Sequence, residues 1–106
     1  MKTPYIVVLV TTANREEAEK ILDILLEARL VACGNILSEV ASVFGWAGKI
    51  EKAEECMVLL KSRRDLIERI AEVVKKLHSY EVPEIISFEI ADGSEAYLNW
   101  LENSLK

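Results

Sequence analysis

The segment from Val31 to Ala47 limits the possible folds more than any other part of this sequence. It is rich in β-branched and aromatic residues and has no helix-length apolar periodicity, so it predicts a single long strand. At about 3.3 Å per residue such a strand would reach roughly 50 Å, well beyond the usual length. We therefore expect part of a long hairpin to project beyond its own domain.

Local features of the same segment refine this prediction. The apolar positions change parity near Ser38 and Glu39, which indicates a β-bulge or a bend. Ala47-Gly48-Lys49 is typical of a tight turn, and the returning strand is predicted over Glu54 to Lys61. The middle of this returning strand is apolar on both faces.

The chain before the hairpin predicts one strand and one helix. Tyr5 to Thr12 is an apolar, β-branched run of the kind found in central strands. Asn14 followed by Glu17 forms a capping box, which predicts the start of a helix. Apolar residues then follow at helical spacing, so this helix is expected to pack against a sheet.

The chain after the hairpin predicts a helix, a strand and a last helix. Ser62 with Asp65 is interpreted as the start of the second helix. Apolar and polar residues alternate over 86–90, which predicts a fourth strand. Asp92 with Glu95 is interpreted as the cap of the short last helix.

The element order is therefore βαββαβ followed by a C-terminal helix. This order predicts an α+β, ferredoxin-like sandwich in which residues 1–106 form one domain. The helices after the first and third strands would cover the same face of an antiparallel sheet and leave the other face open. Because that open face carries aliphatic residues, we expect an obligate oligomer, with sheets facing each other or hairpins exchanged as edge strands.

Composition and charge exclude several classes of function. The chain has 13 basic and 18 acidic residues, and the net charge of -5 argues against a nucleic-acid partner. No apolar run is long enough to cross a bilayer and no signal-peptide pattern is present, so we expect no membrane partner and a cytoplasmic location. In that compartment Cys33 and Cys56 are expected to be free thiols.

The stretch from His78 to Ile85 is the strongest candidate for a functional site. It places the only histidine of the chain, a tyrosine, a proline and two carboxylates between a helix pattern and a strand pattern. Pro83 fixes its own φ and pushes Val82 toward extended geometry. The sequence thus predicts a short, stiffened connection with His78 and Glu84 at opposite ends.

Two kinds of chemistry are open to His78. Cys33 and His78 could pair as nucleophile and base, but nothing nearby supplies a nucleophile elbow or an oxyanion turn, so we predict no enzyme activity. A metal site would use His78 with Cys33, Cys56, Met57 or a carboxylate, and these donors favour copper or zinc. Neither a CxxC nor an HExxH spacing is present. Oligomerisation could supply the missing ligands, for example by placing one subunit's His78 beside a neighbour's Cys33.

A further set of polar residues lies at predicted strand ends and turns. Together they could bind a small anionic or zwitterionic ligand, although a solvated surface with weak ion pairs explains them equally well. The set is Asn35, Lys49, Lys61, Tyr80 and Glu84. Trp46 is interpreted as a core or interface anchor, together with Phe44 and Trp100.

Five motifs occur in an order and at separations that are specific in combination. They are Val31-Ala-Cys-Gly-Asn-Ile36, Trp46-Ala-Gly-Lys-Ile50, Leu60-Lys-Ser-Arg63, Leu77-His-Ser-Tyr-Glu-Val-Pro-Glu-Ile85 and Tyr97-Leu-Asn-Trp100. In these motifs the chain closely resembles the CutA family of divalent-cation-tolerance proteins, and the resemblance covers essentially the whole chain.

The resemblance implies a ferredoxin-like subunit in a tight homotrimer, an architecture shared with the PII signalling proteins. It also implies tolerance of divalent metals, with copper binding in some members and no firmly attached enzyme activity. Carried over by motif position, the residues that would line the cleft between subunits are Cys33, Asn35, Trp46, Lys49, Lys61, His78, Tyr80, Pro83 and Glu84.

The chain also departs from the family pattern. Where the family usually has a larger apolar residue, an aromatic residue, a glutamate and a proline, this sequence has Gly34, Gly45, Ala47 and Ser79, respectively. Two functions follow as expectations. The first is a metal-responsive homotrimer that binds copper or another divalent cation at an inter-subunit site through His78 and Cys33. The alternative is a PII-like module that senses a small ligand or contacts a partner protein.

Overall fold

One antiparallel sheet and three helices make up residues 3–106, the part of the chain that this computed structural model describes. In chain order the elements are β1 (Tyr5–Thr12), α1 (Arg15–Glu27), β2 (Cys33–Trp46), β3 (Lys49–Arg63), a 3-10 turn (Arg64–Leu66), α2 (Ile67–Leu77), β4 (Ile85–Glu89) and α3 (Glu95–Ser104). The strands lie side by side in the order β2-β3-β1-β4. This is the ferredoxin-like arrangement that the element order predicts.

The core lies between one face of the sheet and the first two helices. Residues of even number in β1 and β3 point into it, because successive side chains of a strand face opposite sides. The largest fully buried side chains of this core include Val8, Val10, Val58 and Leu60 from the sheet and Ile21, Leu25, Ile70 and Val74 from the helices. Both helices therefore cover the same face, as predicted.

The opposite face of the sheet is apolar and only partly covered. Leu9 pairs with Leu59 on one side and with Ile86 on the other, and Val7 pairs with Phe88. Phe88 is 53% exposed. We call this surface, made of Val7, Leu9, Leu37, Met57, Leu59, Ile86 and Phe88, the open face.

Helix α3 covers one end of the open face, a placement that the sequence did not predict. The Glu102 carboxylate accepts hydrogen bonds from Tyr5 Oη at 2.9 Å and from Arg63 Nη1 at 2.8 Å. Tyr97 Oη lies 3.5 Å from Cys33 Sγ. These contacts hold α3 over one end of the sheet and leave the centre of the open face uncovered.

The long hairpin has the predicted bulge and turn. The pairing of β2 with β3 shifts register between Leu37 and Val40, and Glu39 has a positive φ of 58°. Ala47 and Gly48 form the turn with φ angles of 51° and 78°. Two consecutive positive φ angles match the hairpin turns whose twist suits the flanking strands.

The hairpin also projects as predicted, although its limits differ. The pairing of β1 with β3 stops at Thr12 and Cys56, so residues 49–55 of β3 pair only with β2. The described chain measures 45 × 28 × 23 Å. The returning strand is longer than the predicted Glu54 to Lys61, because its pairing with β2 continues to the turn. The first strand of the hairpin begins at Cys33 and not at the predicted Val31, which is buried in the connection that precedes the strand.

Two predicted helix caps are wrong. Ser62 lies within β3, where its hydroxyl donates to the carbonyl oxygen of Leu30 at 2.5 Å, and α2 begins after the 3-10 turn without a side-chain cap. Ser94, and not Asp92, caps α3 by accepting a hydrogen bond from the Tyr97 amide. No helix within residues 3–106 has the length and apolar character needed to span a membrane.

Candidate functional site

His78 ends α2 and fixes the candidate site against the end of β1. It is the C-cap of the helix and is only 9% exposed. Its Nε2 lies 2.7 Å from the carbonyl oxygen of Thr11, and its Nδ1 lies 3.0 Å from the Tyr80 amide. Since the carbonyl can only accept and the amide can only donate, the imidazole is neutral with its hydrogen on Nε2.

Tyr80 makes three contacts around this imidazole. Its amide donates to His78 Nδ1, its ring lies 4.8 Å from the imidazole between centroids, and its hydroxyl donates to Glu55 Oε2 at 2.7 Å. Burial, together with the hydrogen bond and the negative charge of Glu55, raises the pKa of Tyr80 to about 12. The phenol therefore stays protonated and donates to a buried carboxylate.

Glu17 holds the same segment from the other side. Its carboxylate accepts hydrogen bonds from the Ser79 amide at 2.7 Å and from the Ala13 amide at 3.3 Å. Burial raises the pKa of this carboxyl, but the hydrogen bonds from Ser79 and Ala13 outweigh it and hold the pKa of Glu17 below its ordinary value. The start of α1 is thus joined to the segment that contains the candidate site.

Glu84 and Pro83 complete the 78–84 segment. The Thr11 hydroxyl donates to Glu84 Oε1 at 3.5 Å, so Glu84 lies beside the strand whose carbonyl orients His78. Pro83 is half-buried, and no cis peptide bond occurs in residues 3–106. His78, Tyr80, Pro83 and Glu84 therefore form one continuous site around the end of β1.

Cys33, Asn35 and Lys61 lie elsewhere on the sheet, at the end that α3 covers. Cys33 pairs with Lys61, and Lys61 Nζ donates to Asn35 Oδ1. The hydrogen bond with Cys33, followed by burial, raises the pKa of Tyr97 to about 12. Lys61 also pairs with Val7, four residues from Thr11, so Cys33 and the Thr11 carbonyl that binds His78 are offset by about 13 Å along the strands and by two strand spacings across the sheet.

Trp46 and Lys49 form a third group at the tip of the hairpin. They pair with each other across the turn, and Trp46 is 64% exposed. Nine residues separate Trp46 from Leu37 along β2, a distance of roughly 30 Å in an extended strand. Within one chain the predicted cleft residues therefore lie in three separate places.

The donor types suit a soft or borderline divalent cation, but one chain does not bring them together. Imidazole nitrogen and thiol sulfur are suitable ligands for copper and zinc. Within residues 3–106, no three His, Cys, Asp or Glu side chains are placed to hold a metal ion. Cys33 and Cys56 are free thiols, as predicted. A cation held by the predicted ligands would need donors from more than one chain.

Three residues of this site were not predicted from the sequence. Glu55 is buried in β3 and accepts a hydrogen bond from the Tyr80 hydroxyl. The Thr11 carbonyl orients His78. The Glu17 carboxylate accepts a hydrogen bond from the Ser79 amide. The capping pattern identified Glu17 only as a helix-start residue. Glu55 stands in a run of charged residues, where its type gives no sign of burial.

Comparison with known proteins gives concordant matches over nearly the whole chain. The family described as CutA1 divalent ion tolerance protein matches residues 6–104. The divalent-cation tolerance protein CutA of Pyrococcus horikoshii is 44% identical over 101 residues, which cover 95% of this chain and 98% of that protein. The chloroplastic CutA protein of Arabidopsis thaliana is 41% identical over 103 residues, and there the match covers 97% of this chain but only 57% of the relative.

Solved structures agree with the sequence matches. The crystal structure of CutA1 from Oryza sativa has a TM-score of 0.95 at 37% identity and covers 99% of this chain and 96% of that one. The divalent cation tolerance protein of Thermus thermophilus has a TM-score of 0.94 at 37% identity and covers 96% of this chain and 99% of that one. The similarity thus includes the long hairpin and all three helices.

Proposed function

This chain belongs to the CutA1 divalent ion tolerance protein family, and from that premise we propose that it is a cytoplasmic, non-enzymatic homotrimer that binds copper or another divalent cation between subunits. The observation that carries this proposal is the family match over residues 6–104, which includes every candidate site residue. Divalent ion tolerance is the property that the family description names. The trimer, the bound cation and its ligands are what we propose for this chain.

The open face supports assembly of identical chains. Phe88, Ile86 and Leu37 are exposed there beside partly buried Leu9 and Leu59. A contiguous apolar surface of this kind is typical of interfaces. In an assembly through this face, the projecting hairpin of one subunit would bring its Trp46 and Lys49 to the 78–84 segment of a neighbour.

The separation of the candidate ligands supports an inter-subunit site. Cys33 and the Thr11 carbonyl that binds His78 are offset by about 13 Å along the strands and by two strand spacings of about 4.8 Å across the sheet, too far for Cys33 and His78 to share an ion. Ligand–metal distances are about 2.0–2.3 Å for imidazole nitrogen and thiolate sulfur. If both residues bind one cation, they must come from different subunits.

Isothermal calorimetry with Cu²⁺ tests the proposed ligands. We expect His78→Gln and Cys33→Ser each to weaken Cu²⁺ binding at least about tenfold, because each substitution removes a strong copper donor. Cys56→Ser is the matched control, since this thiol is buried on the helix-covered face and is expected to leave binding unchanged. Equal affinity in all four proteins would exclude both residues as ligands.

The alternative function, a PII-like module that senses a small ligand, stays a prediction for the same cleft between subunits. Lys61 favours it, because its ammonium group is hydrogen-bonded to Asn35 and has no ion pair within residues 3–106. A positively charged lysine side chain on an apolar sheet face is suited to bind an anionic ligand.

A further inference from the structure

The His78 imidazole already has one half of the arrangement that a metal ligand needs. Metal-bound imidazoles commonly donate their second ring N–H to a carbonyl or carboxylate, which fixes the tautomer and the ring orientation. His78 does this now, since Nε2 donates to the Thr11 carbonyl at 2.7 Å. That carbonyl belongs to β1, a strand paired on both sides. Any cation would therefore bind at Nδ1.

The lone pair on Nδ1 is occupied in this conformation. The Tyr80 amide donates to it at 3.0 Å, and one sp² nitrogen lone pair cannot accept a hydrogen bond and coordinate a cation at the same time. The Tyr80 N–H thus stands in the position that a cation would take.

The Tyr80 side chain stabilises this blocked state. Its hydroxyl donates to Glu55, a carboxylate that is only 7% exposed, and the Tyr80 ring packs on the imidazole. Hydrogen bonds to charged groups are stronger than those between neutral groups. Moving the Tyr80 amide away from Nδ1 would disturb the hydroxyl contact on the same residue.

We propose that Tyr80 blocks His78. A cation can bind at Nδ1 only when the Tyr80 amide has left its present position, which we call the closed position. The inference rests on the proposed function, and it adds a coupling between the site and the 79–84 segment. Displacement of Tyr80 would uncover an imidazole nitrogen and the Glu55 carboxylate together. The 79–84 segment would then lie in different positions in the cation-free and the cation-bound protein. The surface that it forms would therefore depend on whether a cation is bound at His78.

Affinity measurements test the energetic half of this inference. Tyr80→Phe removes the hydroxyl contact with Glu55 and keeps the ring and the backbone. The conformation in which the Tyr80 amide blocks Nδ1 therefore loses stability. We expect Cu²⁺ to bind Tyr80→Phe about tenfold more tightly than the wild type. Tyr5→Phe is the matched control, because it removes a similar bond between a tyrosine hydroxyl and Glu102 at the opposite end of the sheet. Its affinity should equal that of the wild type.

Hydrogen–deuterium exchange tests the structural half. The Tyr80 amide should be protected in the cation-free protein by its bond to His78, and saturating Cu²⁺ should speed its exchange at least about tenfold. The Ser79 amide, which donates to Glu17, reports whether the whole segment moves or only Tyr80.

The outcomes separate this inference from the proposed function. If His78→Gln loses affinity while Tyr80→Phe binds like the wild type and the Tyr80 amide stays protected, the blocking role is overturned and the metal site stands. If His78→Gln binds Cu²⁺ as well as the wild type, or if no protein binds it, the site itself fails and the inference fails with it.

Discussion

The Glu17 carboxylate joins two parts of the chain that are 62 residues apart. One oxygen accepts from the Ala13 amide at the start of α1, and the other accepts from Ser79 beside the candidate site. Carboxylates that accept backbone N–H bonds are stabilised in their ionised form. The position of the 78–84 segment therefore depends on the charge of a side chain in another element.

Substitution of Glu17 predicts a pH-dependent loss of stability. Because the pKa of Glu17 is lowered in the folded protein, its contribution is present above the unfolded pKa of about 4.5 and is lost as the pH falls through the folded value. We expect Glu17→Gln to lower the free energy of unfolding by about 1–2 kcal/mol at pH 7. The loss should shrink as the pH falls below about 4.5, as measured by urea unfolding.

Glu19→Gln provides the control on the same helix. Within residues 3–106, Glu19 pairs only with Arg15, in an exposed i,i+4 ion pair, so its substitution should change stability by less than about 0.5 kcal/mol. A pH dependence of the Glu17→Gln protein that equals that of the wild type would contradict the role of the Glu17 carboxylate.

Gly34 shows why one departure from the family pattern is tolerated. A Cβ at this position would lie 2.6 Å from Leu22 Cδ1 and 3.2 Å from Leu60 Cδ2. The Leu22 side chain of α1 therefore occupies the space that a larger residue at position 34 would use. At Gly45, in contrast, no atom lies within 4 Å of an added Cβ, so the described chain offers no packing reason for glycine there.

The turn of the β2–β3 hairpin contains a residue in an unfavourable conformation. Ala47 has a φ of 51°, a left-handed conformation that costs a residue with a Cβ roughly 1 kcal/mol, whereas Gly48 adopts 78° without that cost. Asn-Gly is the favoured pair for this type of turn. The Ala47-Gly48 pair is therefore a site where stability can be raised.

Ala47→Asn is expected to raise the free energy of unfolding by about 0.5–1 kcal/mol, since asparagine tolerates the left-handed region. Ala47→Val should act in the opposite direction, because a β-branched side chain is strained at positive φ. Thermal unfolding of the wild type and the two variants measures both effects. If Ala47→Val is as stable as the wild type, the turn does not hold this conformation in solution.

Much of the fold could be predicted because its signals are local. The β-branched run of β1, the Asn14 cap, the parity change at the bulge and the Ala47-Gly48 turn each act within a few residues. The predicted cap at Ser62 was wrong because a distant partner, the Leu30 carbonyl, binds its hydroxyl and β3 continues past it.

The candidate site could be predicted only in part, and for the same reason. The 78–85 stretch was identified from its residue types, but the partners that define its chemistry are remote in sequence. Thr11 lies 67 residues from His78, and Glu55 lies 25 residues from Tyr80. Periodicity and spacing do not report such contacts, which arise only when β1, β3 and α2 pack together.

The sheet of the sandwich has one covered face and one open face. Helices α1 and α2 bury the even-numbered side of the central strands, and α3 covers only one end of the other side. The remaining surface includes Ile86, Phe88 and Leu37, which are large, apolar and exposed. Burial of this surface against other copies is the driving force that we assign to assembly.

A charge on the open face should break the proposed assembly. Phe88→Glu would place a carboxylate in an apolar interface, where an unpaired charge costs about 3 kcal/mol or more, so we expect dissociation at micromolar protein. Leu26→Glu is the matched control, because Leu26 is an exposed apolar residue on α1, in the helix layer. Analytical ultracentrifugation should show an unchanged mass for the control, and an intact Phe88→Glu assembly would exclude this face as the interface.

The mass of the wild-type protein in solution shows whether the open face joins three copies of the chain. Static light scattering at micromolar concentration should return three times the chain mass of 12.0 kDa, without smaller species on dilution. A stable particle of 12.0 kDa would mean that the apolar sheet face stays in water, and the inter-subunit site would have no basis.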